Sequence, residues 1–148
     1  MTSKPPIRPR RTSLPRPRDT SQPPSHLALG AEGEARAARY LESKGYRIVA
    51  RNVRAGGVEL DLVARHRGWI VFVEVKARRS ERFGPPESAV HARKRARLVT
   101  GALAWLQENP GRRRGIRFDV IAWTVSEATG TEREWRVRHF ENAFEVGD

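Results

Sequence analysis

Between residues 59 and 76 the sequence sets two acids and a lysine where they can do chemistry. Residues 58–65 (VELDLVAR) and 69–77 (WIVFVEVKA) read as successive strands joined by a short turn at 66–68. Side chains two apart share a strand face. On the first strand Glu59, Asp61 and Val63 point one way, and Val58, Leu60, Leu62 and Ala64 the other. On the second, Ile70, Phe72, Glu74 and Lys76 share one face and Val71, Val73 and Val75 the opposite one. Hairpin pairing of the two strands brings Asp61, Glu74 and Lys76 together at one end of a sheet. Carboxylates in so apolar a run incur a desolvation cost and repel each other. A hard divalent cation, Mg²⁺ or Mn²⁺, relieves both, since it takes one or two carboxylates and keeps waters and substrate oxygens. Phosphodiester hydrolysis uses such an ion to neutralise charge and activate water. A lysine two residues beyond the acid can hold that water, help to deprotonate it, or stabilise developing charge. The competing explanation is a structural Glu–Lys pair at an exposed strand end. Asp61, arriving across the hairpin, is what favours a site.

The elements that must position these groups can be read along the chain. Structure begins near His26, with Ala31, Ala35, Ala38 and Leu41 on one face of a helix that stops near Gly45. A strand at 46–53 and a turn at 54–57 precede the two strands already described. The Val/Ile/Phe run of 69–77 predicts a central strand buried on both faces. A loop at 80–87 leads to a second helix at 88–108, whose stripe is Ala92, Ala96, Val99, Ala102, Leu103 and Leu106, and Asn109-Pro110-Gly111 stops it. Strands follow at 116–124 and 135–140. The order α-β-β-β-α-β-β predicts one α/β sandwich over residues 26–148.

Composition narrows the function classes. The 148 residues carry 29 Lys+Arg against 17 Asp+Glu, a net charge of +12, which points to a polyanionic partner, nucleic acid foremost. The absence of cysteine removes disulfides, thiol catalysis and Cys-ligated zinc. No apolar run is long enough to span a membrane and no secretory signal is evident, so a cytoplasmic protein is expected. Residues 1–25 hold seven of the ten prolines and six basic residues against one acid. They read as a disordered basic arm, either an electrostatic aid to nucleic-acid binding or a dispensable extension.

Asp61 followed by Glu74-Val75-Lys76 resembles the split acid and Glu-x-Lys signature of the PD-(D/E)xK nuclease superfamily. More narrowly, the chain resembles the YraN-like family of small predicted endonucleases, which are similar to archaeal Holliday junction resolvases. The likeness rests on 29–34 (LGAEGE), 59–64 (ELDLVA), 71–78 (VFVEVKAR), 83–90 (FGPPESAV), 117–120 (RFDV) and 141–144 (ENAF). It implies a restriction-endonuclease-like three-layer sandwich around a mixed sheet. It also implies metal ligation by Asp61 and Glu74, with Glu59 as a further candidate, and water positioning by Lys76. Glu34 would match the helical acid of the resolvase branch. Helical projection permits that role, and a helix-dipole carboxylate in the first turn is the equal alternative. Leu60 stands where the superfamily has a proline, and Val58 separates Gly57 from Glu59, which bears on the turn but not on the shared facing of Glu59 and Asp61. The implied activity is metal-dependent cleavage of DNA, branched or structured DNA included, for which a homodimer would suit a junction. The alternative is a nucleic-acid-binding module, on DNA or RNA, that keeps the fold without the chemistry.

Other groups divide between function and solvation. Arg93, Lys94 and Arg97 lie off the apolar stripe of the second helix; with Arg78 and Arg79 they form a candidate phosphate-binding face or a plain solvated one. Arg117 and Asp119 share a strand face and read as a structural ion pair. His26, His66, His91 and His139 show no metal-ligand spacing and read as surface or packing residues. The four Trp are scattered, more like core than a base-stacking platform.

Overall fold

In a computed structural model of the chain, residues 26–79, 91–127 and 133–146 are described. The basic arm at 1–25, the loop at 80–87 and the 83–90 segment lie outside these residues. Two helices and five strands follow the expected order: α1 (His26–Ser43), β1 (Arg47–Ala55), β2 (Val58–His66), β3 (Trp69–Arg78), α2 (Ala92–Glu108), β4 (Gly115–Glu127) and β5 (Arg133–Phe144). The strands form one sheet in the order β1-β2-β3-β4-β5. The β3–β4 pair is parallel and the other three are antiparallel, so the sheet is mixed, with α2 as the crossover between its parallel strands.

Each helix packs an apolar face on its own side of the sheet, which gives three layers. The buried faces differ from the stripes read in the sequence: Ala31 of α1 and Ala92, Ala96 and Leu103 of α2 are exposed, the last three because α2 turns its bulkier Leu98 and Trp105 to the sheet. On one face Ala37, Ala38 and Leu41 of α1 pack on Leu62, Ala64, Val71, Val73, Ile121 and Trp123. On the other, Leu98, Ala102, Trp105 and Leu106 of α2 pack on Leu60, Val63, Phe72, Phe118 and Val120. The central strand β3 contributes to both clusters, as its unbroken apolar run predicts. Small residues allow close approach. A Cβ on Gly101 of α2 would lie 3.0–3.1 Å from Val58 and Leu60, and one on Gly33 of α1 would lie 3.0 Å from the Cβ of Ala77.

Several boundaries differ from expectation for identifiable reasons. The second helix begins at Ala92, since His91 is extended (φ −86°, ψ 171°) and serves as its N-cap residue. Arg54 and Ala55 belong to β1, paired with Glu59 and Val58 around a tight Gly56-Gly57 turn. β4 and β5 run longer than their apolar segments because their ladder continues through polar residues as far as Glu127↔Arg133. The strict alternation expected of β2 also fails: Leu60 packs on the α2 side and Leu62, two residues on, on the α1 side. The strand changes face at Asp61.

Candidate active site

That change of face creates the site. The β2–β3 ladder runs from His66↔Trp69 to Leu62↔Val73 and stops there. Asp61, one residue further along β2, takes over with its side chain: Oδ2 accepts a hydrogen bond from the Val75 amide at 2.9 Å. Across from it on β1, Asn52 adopts a left-handed conformation (φ 47°) between the pairs Arg51↔Leu62 and Val53↔Leu60. The Asn52 side chain hydrogen-bonds Glu34 of α1. One left-handed residue therefore stands beside the carboxylates.

A cavity of about 550 Å³ opens at this end of the sheet. Glu34, Glu59, Asp61, Glu74 and Lys76 all line it, and α2 closes it with Arg93, Lys94 and Arg97. Ile70 and Phe72 lie on the α2 side of β3, the same face to which Glu74 and Lys76 belong by alternation. Glu74 is the most buried acid of the group, 6% exposed. Its Oε1 pairs with Lys76 Nζ at 3.5 Å and, more closely, with Lys94 Nζ.

These neighbours perturb one another. Burial, reinforced by the Glu74 and Glu34 carboxylates, pushes Asp61 up to about 7 against the opposing pull of the Val75 amide. Asp61 and Glu74 lie close enough to hydrogen-bond when one is protonated. Glu34 is also raised, by burial first and then by Glu59 and Glu74, while its bond to Asn52 opposes the shift. Burial and the adjacent Lys94 ammonium lower Lys76. Burial works against the Lys94 charge too, but hydrogen bonds to Glu74 and Lys76 and the Glu74 and Asp61 charges together outweigh it, and Lys94 is raised. The site thus holds two carboxyl groups, Asp61 and Glu34, that ionise less readily than usual, one firm cation and one ammonium that gives up its proton more readily.

Among the described residues no three of His, Cys, Asp and Glu form a ready-made metal cage. The donor set of two close carboxylates still fits a hard divalent ion such as Mg²⁺, which fills the rest of its shell with water and substrate oxygen. Burial and the Glu74 carboxylate raise Asp61, and such an ion would relieve both. Lys94 supplies positive charge at Glu74 in this structure, so an ion there would share or displace it.

Of the basic residues singled out in the sequence, Arg93, Lys94 and Arg97 reach this cavity. Arg78 and Arg79 follow Lys76 at the end of β3 without lining it. Three cavity residues or neighbours have parts in the site that the sequence does not signal. Lys94 reads as a phosphate ligand rather than a partner of Glu74, His91 as a surface residue, and Asn52 as an ordinary strand position. Only the return of α2 over the end of β3 brings the first two in. Arg117 and Asp119 are an ion pair as read, with Arg117 Nε donating to Asp119 Oδ1 at 2.8 Å, and they lie outside this cavity.

Comparison with known proteins gives one consistent result. The model of the Uncharacterised protein family UPF0102 matches residues 33–123, a span that includes Glu34, Asp61, Glu74, Lys76 and Lys94. A UPF0102 protein of Trichlorobacter lovleyi is 45% identical over 120 residues, 80% of this chain and 91% of that protein. One from Geobacter sulfurreducens is 44% identical over 118 residues, 80% of this chain and 89% of its own length. A UPF0102 protein of Rhodococcus opacus is 41% identical over 119 residues, 80% of this chain and 98% of that protein.

Proposed function

This chain belongs to the uncharacterised protein family UPF0102, and from that premise we propose that it is a divalent-metal-dependent endonuclease acting on DNA, with branched or structured DNA in its range. The observation that carries the reading is the meeting of Asp61, Glu74 and Lys76 in one cavity, with Asp61 pushed up to about 7 by burial and by Glu74. Charge of that kind, held where a strand ladder breaks off, is costly to a fold that gains nothing from it.

Asp61 and Glu74 would hold Mg²⁺ or Mn²⁺, which when bound supplies neutralisation of the scissile phosphate and acidification of water. Lys76 Nζ, lowered by burial and by Lys94, takes the proton of the attacking water as its oxygen bonds to phosphorus and the ester bond to the leaving oxygen breaks. Arg93 and Arg97, exposed on the rim, contact the flanking phosphates and fix the strand. Glu34 and Asn52 hold the β1 side of the cavity in place.

The test is cleavage of duplex, single-stranded, flap and junction DNA with Mg²⁺ or Mn²⁺. Asp61→Asn, Glu74→Gln and Lys76→Ala should each lower the rate by a hundredfold or more, in the range of lost acid–base or metal-ligand function, while binding persists. Wild-type protein that cuts none of these substrates with either metal overturns the reading. One observation favours a second reading, a nucleic-acid-binding module without chemistry: Glu74 is already paired with two lysines, a cluster that can stand without a metal. That protein would bind DNA or RNA indifferently to Mg²⁺ and to Lys76→Ala.

A further inference from the structure

At the other end of the strands lies a second cavity, of about 540 Å³. Trp69, on its wall, is five residues along β3 from Glu74, a separation of about 16 Å at strand rise. Lys44, Arg67, Arg114 and Arg117 line this cavity, and Glu141 is the one acid among its lining residues. Lys44, Arg67 and Arg114 make no ion pair among the described residues. The half-buried rings of His66 and Trp69 complete the wall, and the buried Tyr46 ring backs His66, stacked on it at 3.9 Å and 7°.

We infer that this cavity binds a nucleoside phosphate, its phosphate on the guanidinium and ammonium rim and its base against the ring wall. Guanidinium groups match phosphate oxygens in pairs, and aromatic side chains stack on any base. The volume is that of a small-molecule site. Glu141 accepts the Tyr46 hydroxyl at 3.3 Å and is a ready acceptor for a ribose hydroxyl or base amino group. A plain anion could use the rim but neither the rings nor Glu141.

The surrounding fold is built to hold these groups. Asp119, 1% exposed, accepts from Arg117 at 2.8 and 3.0 Å, bonds His139 Nε2 at 2.7 Å and accepts the Asn142 amide at 3.0 Å. That amide reaches it because Asn142 is left-handed (φ 49°) where the β4–β5 register shifts. Arg117 in turn donates to the Tyr46 hydroxyl at 2.6 Å. Arg67 sits at φ 50° in the two-residue β2–β3 turn, a place that suits Asn or Gly, so a long cation is kept there against backbone preference. The Gly68 carbonyl accepts the Arg114 amide at 2.8 Å. A Cβ on Gly68 would come within 2.9 Å of the Arg114 side chain, and one on Gly115 within 2.5 Å of the Trp69 ring. Both glycines leave room for rim or wall groups. The segments 117–120 and 141–144, which the proposed metal chemistry leaves unused, supply Arg117, Asp119, Glu141 and Asn142.

The ligand could be a free nucleotide or the end of a nucleic-acid strand, and neither requires the metal site. Calorimetry on the full chain in EDTA separates them, with adenosine 5′-monophosphate, inorganic phosphate, and hexathymidylate bearing a 5′-phosphate or a 5′-hydroxyl as probes. The monophosphate or the phosphorylated hexamer should bind more tightly than inorganic phosphate. Arg67→Gly with Arg114→Ala should weaken that binding about tenfold or more. Arg67→Gly relieves the left-handed position, so loss of folding is not expected. The charge-matched pair Arg113→Ala with Arg133→Ala, outside both cavities, should change it less than about twofold. Tight monophosphate binding identifies a free nucleotide, and binding of the phosphorylated hexamer alone identifies a strand end. The inference fails if neither probe binds, if inorganic phosphate binds as tightly, or if both double variants weaken binding equally.

Discussion

Two aspartates, Asp61 half-buried and Asp119 buried, do opposite things to this protein. Asp61 is held above its unfolded value of 3.8, at about 7, by burial and neighbouring carboxylates. The folded state therefore binds the proton more tightly than the unfolded chain. Its contribution is complete below 3.8 and is lost as pH rises through about 7. Asp61→Asn should accordingly gain about 1–3 kcal/mol on wild type between pH 4 and pH 8, measured by urea unfolding without divalent metal. An equal difference at both pH values would contradict the geometry. Millimolar Mg²⁺ should raise the wild-type melting temperature at pH 8 and leave Asp61→Asn with Glu74→Gln unchanged. Asp119 runs the other way. Burial would raise it, but His139, Arg117 and the Asn142 amide together hold it below 3.8. It stabilises the fold above that pH and loses this contribution as pH falls through its own lower value. Asp119→Asn should cost about 2–4 kcal/mol at pH 7 by leaving Arg117 and His139 without their partner. The cost should shrink toward pH 2, as acid unfolding curves would show. Strand alternation, a local rule, made Glu74 and Lys76 legible on one face of β3, whereas the change of face at Asp61 and the links of Lys94 and Asn52 to the group join residues from different elements.

At the scale of elements, glycine separates packing from propensity. Gly30 in α1 has nothing within 4 Å of where a Cβ would stand, so Gly30→Ala should add about 0.5–1 kcal/mol by helix propensity alone. Gly101 in α2 is pressed against Val58 and Leu60. Gly101→Val should cost about 1–3 kcal/mol as α2 is pushed from the sheet. It should also disturb cleavage, because Lys94, Arg93 and Arg97 ride on the same helix. Thermal melts of the two variants moving in the same direction would refute this account. Element order and type followed from hydrophobic period and from turn residues such as Gly45, Gly68 and Asn109-Pro110-Gly111. The face change of β2 at Asp61 did not, because it answers to where the β2–β3 ladder stops and to Asn52 on the far strand. Polar ladder extensions in β4 and β5 escaped for a similar reason: once a neighbour supplies hydrogen bonds, a strand no longer needs apolar residues to continue.

Across the whole molecule, charge and shape are distributed over two cavities at opposite ends of the sheet. Nucleic-acid affinity measured in EDTA should fall linearly with log salt, and Arg93→Ala with Arg97→Ala should reduce that slope by about two units. Arg51→Ala with Arg54→Ala, on the exposed side of β1, should leave it nearly unchanged if the candidate active site is the main contact. Among the described residues no helix is long and apolar enough to cross a membrane. Of the three left-handed non-glycine residues described, Arg67 lines the second cavity, Asn52 bonds Glu34 of the first, and Asn142 bonds Asp119, the partner of the second cavity's Arg117.

The sequence by itself determined the element order, the central place of β3, the excess of positive charge and the shared face of Glu74 and Lys76, with Asp61 across the hairpin. Those features follow from side-chain period and composition, which each residue carries with it. Tertiary structure alone decided that Lys94 pairs with Glu74, that β2 turns over at Asp61, and that Lys44, Arg67, Arg114 and Arg117 ring one hollow with Tyr46 and Trp69. Such meetings depend on where separate elements come to rest against one another, and a local pattern contains no term for that.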